Sequence, residues 1–185
     1  MLRFWFDLIV SHGHQYGFNM EASKCWLITD ADLLEQAKEV FQGTDVKITT
    51  TGKKLLGAAV GSEDFKAEFV NNLLEKWFVQ IEMLAEIAAF DPHSAYVAFT
   101  SGIRHRYSYY MCTIPNISSL LKPLEDAIRM KLIPALTESR VVTDDQRLLL
   151  SLAPWLGGMG IIAPQIISDL EYQLSTFGYF KADRG

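Results

Sequence analysis

Cysteine is scarce in this chain: Cys25 and Cys112 are the only two among 185 residues, too few for a fold built on disulfides. Four histidines offer little to a metal. His12 and His14 flank a glycine, but no third histidine or carboxylate cluster completes a shell, so no metal ligand set is assigned. No apolar run approaches the roughly 20 residues needed to span a bilayer. Residues 1–10 hold Phe4 and Trp5 but also Arg3 and Asp7, without a leader-like apolar stretch or a small-residue cleavage pattern. An intracellular, reduced protein with no membrane partner is therefore the default expectation. Positive charge is the minority, with 17 Lys and Arg against 22 Asp and Glu and a net charge of -5. That balance excludes a uniformly basic nucleic-acid binder and confines any such role to a local surface. Internal repeats and low-complexity runs are absent as well.

Several catalytic patterns are missing too. The glycine-rich run Leu156-Gly157-Gly158-Met159-Gly160-Ile161 has the wrong spacing for a phosphate-cradling Walker loop and lacks the following Lys-Ser or Lys-Thr pair. Pro154 and Pro164 around it point to a tight packing turn. No serine sits in a nucleophile elbow, and no Ser-His-Asp set is supported by sequence order. Asp144 and Asp145 are adjacent and suit the start of a helix better than paired-carboxylate chemistry. No histidine is placed to ionise Cys25, which is expected to be a buried small hydrophobe.

What is present is apolar pattern, 49% hydrophobic residues and enough length for one compact domain or two small lobes. Residues 2–11 repeat apolar side chains four apart, which predicts a helix. Cys25-Trp26-Leu27-Ile28 predicts a short strand, followed by a helix capped at Thr29 or Asp30 and ended by Gly43. Residues 46–50 and 55–60 predict two strands of one hairpin, with Lys53 and Lys54 in its turn. After Gly61 the period changes. Ser62, Glu63 and Asp64 open a long helix on which Phe65, Phe69, Leu73, Trp77, Ile81, Leu84 and Ala88 recur three or four apart. Asp91-Pro92 is a second helix start, running through an aromatic segment that Pro115 closes. Pro123 starts a third helix that lines up before Pro134, and residues 144–152 a shorter one. The chain thus divides near Gly61 into a mixed lobe, residues 1–61, and a helical lobe, residues 62–185.

Some residues are candidates for chemistry by type alone. Lys24, beside an apolar strand, can offer its ammonium to a phosphate or can guard a sheet edge. Lys53 and Lys54 can position a nucleic-acid backbone without reading bases, or can be solvated turn lysines. Gly57 and Gly61 permit close backbone approach to a strand of nucleic acid, or relieve crowding between strand and helix. Arg104, His105, Arg106, Tyr107, Tyr109 and Tyr110 combine fork donors with flat rings, a mixture suited to phosphates and bases. The helical spacing of these residues also turns part of the segment toward a core.

Five landmarks occur in a recognisable order: Tyr16-Gly17-Phe18-Asn19 after a helix, Ser23-Lys24-Cys25-Trp26-Leu27-Ile28, Gly52-Lys53-Lys54-Leu55-Leu56-Gly57, the segments Pro92-His93-Ser94-Ala95-Tyr96 and Thr113-Ile114-Pro115-Asn116-Ile117, and Leu152-Ala153-Pro154-Trp155-Leu156 with its glycines. In that order the chain resembles the region downstream of the catalytic Asp-Asp turn in reverse transcriptases, RNA-directed DNA polymerases, of non-LTR-type mobile elements such as retrotransposons. The resemblance implies an α+β fold, a small palm-edge strand and hairpin lobe followed by a mainly helical thumb-like lobe. It implies a catalytic role for Lys24 at leaving pyrophosphate and primer contacts by the hairpin of Lys53, Lys54 and Gly57, to which the residue types add Arg104, Arg106 and Tyr107 as expected nucleic-acid contacts. The family's Tyr-x-Asp-Asp turn is not in this sequence, and Asp7 is a lone acid that does not replace it. No cofactor is expected for this chain, and Mg2+ only for an intact parent polymerase, whose carboxylates hold two such ions. The expected activity is therefore primer–template binding without polymerisation by this chain alone. Its expected partners are an RNA/DNA primer–template and either a missing palm segment or a second copy. The alternative expectation is a noncatalytic interaction or self-association module built on Phe4, Trp5, Trp77 and the aromatic helix.

Overall fold

A computed structural model describes residues 1–138 and 141–182, the last five of these as backbone only. The chain forms two compact units, Met1–Lys66 and Ala67–Gly185. The fold is α+β: all the strands among the described residues are short and lie in the first unit, and the second unit is helical.

The first unit opens with helix α1 (Leu2–His12). Phe6 is its buried residue and meets Phe41, just past helix α2 (Leu34–Val40), edge to face with ring centroids 5.8 Å apart. Arg3 ties the same two helices: its Nε donates to Asp7 at 2.9 Å and its Nη1 to the Val40 carbonyl at 2.8 Å. Strand β1 (Trp26–Ile28) pairs in parallel with β2 (Lys47–Thr49), Leu27 opposite Ile48. A parallel pair needs a crossover connection, and α2 supplies it. The expected hairpin is corrected here. The segment at 46–50 does not pair with 55–60; instead β3 (Gly52–Leu55) runs antiparallel to β4 (Ala58–Gly61), with Gly52 opposite Gly61. Lys53 and Lys54 consequently sit on a strand, and the turn is Leu56-Gly57.

Helix α3 (Glu63–Ala88) begins as its sequence dictates, with the Ser62 hydroxyl accepting the Phe65 N–H at 3.3 Å. Its apolar stripe is buried at Val70, Leu74, Trp77, Ile81, Leu84 and Ala88. Asp91 caps helix α4 (Pro92–Ala98) by accepting the Ser94 N–H at 3.1 Å. A wide π turn, Phe99–Ile103, then joins α4 to α5 (Arg104–Thr113) without breaking the helix. Ile114 is extended, as a residue before proline must be.

Helix α6 (Lys122–Ala127) passes through a second π turn, Ile128–Leu132, into α7 (Ile133–Thr137), so the chain stays helical through Pro134. A proline inside a regular α-helix collides with the carbonyl four residues back. The widened turn leaves Pro134 at the opening of the next segment, where no N–H is required. Helix α8 (Asp144–Ser151) starts with a reciprocal capping box between Thr143 and Gln146. Helix α9 (Pro164–Ala182) packs along α5 and against α6. Phe99, Tyr107, Met111, Leu121, Leu124, Ile128 and Ile161 are fully buried and make the centre of the helical core.

Candidate nucleic-acid interface

Lys24 ends a 3-10 turn, Ala22–Lys24, that leads into β1, while Lys53 and Lys54 follow one another on β3. The fold of the first unit brings all three to one cleft of about 540 Å³, whose walls include Trp5, Trp26, Leu27 and Leu55. The Lys53 ammonium lies 4.1 Å from the centroid of the Trp26 ring, and Lys47 approaches the same indole at 5.4 Å. Attraction to this ring holds the Lys53 charge at the cleft wall. Lys24 pairs with Glu21 at 2.6 Å, both side chains being exposed. The Lys24 ammonium and the Ser23 hydroxyl hold the Glu21 carboxyl below its ordinary range. An exposed pair of this kind contributes little free energy, so a phosphate can compete for Lys24.

The tip beside these lysines is strained. Leu56 has φ of 48° and Gly57 of 98°, the two left-handed residues of the tight turn that matches strand twist. Glycine adopts this geometry freely; leucine does not. Leu56 is also 90% exposed, so packing does not hold it there. Gly61 answers the crowding question differently: a Cβ on it would lie 2.3 Å from both the Gly52 Cα and the Thr51 carbonyl. It is small so that the two strands can meet.

In the second unit the basic and aromatic segment divides by face. Tyr107 is fully buried, its ring packed against Trp77 and Phe99, and no face of it is open to a base. Burial pushes its hydroxyl, which has no hydrogen-bond partner among the described residues, well above the usual tyrosine range, against the lowering pull of the Arg104 and Arg147 charges. Arg104 is turned inward, its Nη1 donating to the Gly160 carbonyl at 3.3 Å. It belongs to a set of clamps on the glycine turn: Tyr96 donates to the Met159 carbonyl at 2.7 Å, and Arg147 to those of Ile161 and Ile162 at 2.6 and 3.0 Å. Arg106 is exposed and lines a groove of about 350 Å³ with Lys76, Trp77, Gln80, Tyr109 and Tyr110. Of these, Tyr109 and Tyr110 belong to the basic and aromatic segment read from sequence, whereas Lys76 and Gln80 on α3 had not been selected for this role. Trp77 is core, which removes it from any exposed docking face.

The two-metal chemistry implied by the resemblance does not fit the residues present. Asp7 is occupied by Arg3, and among the described residues no group of three or more His, Cys, Asp or Glu side chains is placed to hold a metal ion. His12 shares a 2.7 Å hydrogen bond with Ser11. Cys25 is half-buried, and burial together with the Glu171 carboxylate raises the Cys112 thiol above its usual range, which works against a thiolate nucleophile. No helix among the described residues is long and apolar enough to cross a membrane. Comparison of the chain with protein-family models, with curated proteins and with solved structures found no match.

Proposed function

We propose that this chain is a part of an RNA-directed DNA polymerase that holds the primer–template and does not polymerise by itself. The observation that carries the proposal is the convergence of Lys24, Lys53 and Lys54 on one tryptophan-walled cleft, beside a strained and exposed hairpin tip at Leu56-Gly57. Backbone strain held at an exposed tip is a mark of functional sites. Three ammonium groups suit a phosphodiester backbone, and they match the positions at which the resemblance places the primer-facing hairpin and the pyrophosphate-facing lysine. Lys24 can act on a leaving phosphate only where carboxylates from another segment hold the metal ions. The contacts of Arg104 and the burial of Tyr107 support structural roles for both, leaving Arg106 as the cation of that segment with access to a ligand.

The test is binding of the full chain to a labelled RNA–DNA primer–template across a salt series, alongside K24A/K53A/K54A. The native chain is expected to bind with a steep salt dependence, and each lost phosphate contact should flatten the slope by about one. A variant that binds as the native chain does, or native binding indifferent to salt, overturns the proposal.

A second reading rests on a different surface. Helix α1 leaves Phe4, Trp5 and Leu8 exposed, and a further apolar cleft of about 760 Å³ lies along Leu8, Ile9, Tyr16 and Phe18. Such area favours association with a protein segment or a second copy. Salt-insensitive self-association, reversed by polar substitution of Phe4 and Trp5, is its signature.

A further inference from the structure

The groove between α3 and α5 in the second unit has a chemistry that the first unit's cleft lacks. Lys76 from α3 and Arg106 from α5 stand on its two sides, and the lining contains no acidic residue although the chain as a whole carries a net charge of -5. Neither cation pairs with a carboxylate among the described residues. Between them the lining is aromatic. Tyr110 meets Trp77 with ring centroids 5.5 Å apart and Tyr109 edge-on at 5.2 Å. Trp77 is buried, whereas Tyr109 is 41% exposed and offers a ring at the mouth. Gln80 completes the lining, and its carboxamide oxygen is buried with no hydrogen-bond partner among the described residues. A buried acceptor without a donor is costly, and a ligand bearing an N–H would relieve it.

We propose that this groove binds a nucleotide of single-stranded nucleic acid. Lys76 and Arg106 take the phosphate, Tyr109 stacks on the base, and the Gln80 oxygen accepts a base N–H. Two cations without an acid define an anionic ligand; an exposed ring beside them favours a flat base over an acidic peptide. The volume, about 350 Å³, falls at the small end of ligand clefts, roughly 300–1,000 Å³, and suits one residue of a strand rather than a duplex. The site goes beyond primer–template binding by the first unit and does not depend on it.

The experiment uses the full chain and a fluorescently labelled 12-nucleotide dC strand, with an abasic strand carrying the same number of phosphates as the comparison. The dC strand is expected to bind about 5- to 100-fold more tightly than the abasic one, the range that stacking of a base on an aromatic ring provides. K76A/R106A should weaken both strands about tenfold or more. Tyr109→Leu should erase the difference between them, and Gln80→Met should weaken only the dC strand, by about 3- to 10-fold. Equal affinity for the dC and abasic strands, or K76A/R106A binding as the native chain does with its helical circular dichroism unchanged, overturns the proposal. So does displacement of the dC strand by poly-glutamate at matched charge, which would make the groove an acidic-peptide site. The variant K24A/K53A/K54A separates the two functional proposals: it should lose the primer–template and keep the dC strand.

Discussion

Replacing Arg147 with methionine should be among the most damaging single changes available to the helical unit. Its guanidinium makes four hydrogen bonds: Nε and Nη2 donate to the two Glu125 carboxylate oxygens at 2.5 and 2.8 Å, and Nη1 and Nη2 donate to the carbonyls of Ile161 and Ile162. The side chains are nearly out of water, 4% exposed for Arg147 and 11% for Glu125. Methionine fills much of the volume but leaves a buried carboxylate without its counter-ion and two carbonyls without donors. Breaking a buried pair in this way costs about 3–5 kcal/mol. For a unit of this size that is a fall in melting temperature on the order of 10–20 °C. Substituting both partners, as E125L/R147M, removes the orphaned charge and leaves only the carbonyls, so the double variant should be more stable than R147M by about 1 kcal/mol or more. Urea unfolding followed by helical circular dichroism gives both numbers, provided the slopes agree. R147M within about 1 kcal/mol of the native chain, or a double variant worse than the single, would refute the account of Arg147 as a charge-paired clamp on the turn before α9.

Leu56→Asn relieves a left-handed leucine and should stabilise the first unit by about 1 kcal/mol, read as a rise in its thermal midpoint; an unchanged or lower midpoint would show that the tip is not strained. The same variant should bind primer–template more weakly if the exposed leucine is kept for contact, so stability and binding should move in opposite directions. Tyr107→Phe removes a buried hydroxyl that has no partner among the described residues and should be neutral or stabilising by up to about 1 kcal/mol. Because burial raises the folded-state value of Tyr107, the unfolded chain loses its proton first. Native stability should therefore be full below about pH 10 and fall as pH rises beyond it, more steeply than in the Phe variant; parallel alkaline profiles would contradict this.

Local signals were legible where the physics is local. The Ser62 and Asp91 caps, the extended residue before Pro115 and the later part of the α3 stripe, Trp77 to Ala88, each depend on neighbours within a turn or two and lie where the sequence places them. At the start of α3, by contrast, the buried residues are Val70 and Leu74 rather than the expected Phe65, Phe69 and Leu73. Strand pairing is not local. Three-residue strands such as β1 and β2 carry too little alternation to choose a partner, and the parallel pair is made only because α2 returns the chain alongside. Moving the turn from Lys53-Lys54 to Leu56-Gly57 had the same cause, since nothing in sequence marked Leu56 as left-handed. Lys24, Lys53 and Lys54 were nonetheless selectable from their type and their place beside strands, because a cleft built from short strands brings such neighbours together whichever partner each strand takes.

The aromatic helix shows why a correct period can still select the wrong face. From Ala95 and Phe99, both buried, a regular helix returns to the same face near residues 102, 103 and 106, at about 100° per residue. That extrapolation would bury Arg106 and leave Tyr107 toward the edge of the core. The π turn at Phe99–Ile103 accommodates one extra residue. Every position after it is rotated by that residue, and the buried stripe resumes at Tyr107 and Met111 instead. Arg106 is thereby carried to the surface, opposite Lys76, and Tyr109 is turned to the mouth of the groove that both cations line. Of the pattern read as base-stacking Tyr107 beside phosphate-binding Arg104 and Arg106, Tyr107 is therefore core, Arg104 is turned inward, and Arg106 with Tyr109 lines the groove. Deleting Gly102 would take out the residue that the π turn absorbs and leave Tyr107 seven positions after Phe99 on a regular helix, so Tyr107 should stay buried and Arg106 at the surface. A deletion that buried Arg106, read as loss of its accessibility to an arginine-modifying reagent, would contradict this account of the turn.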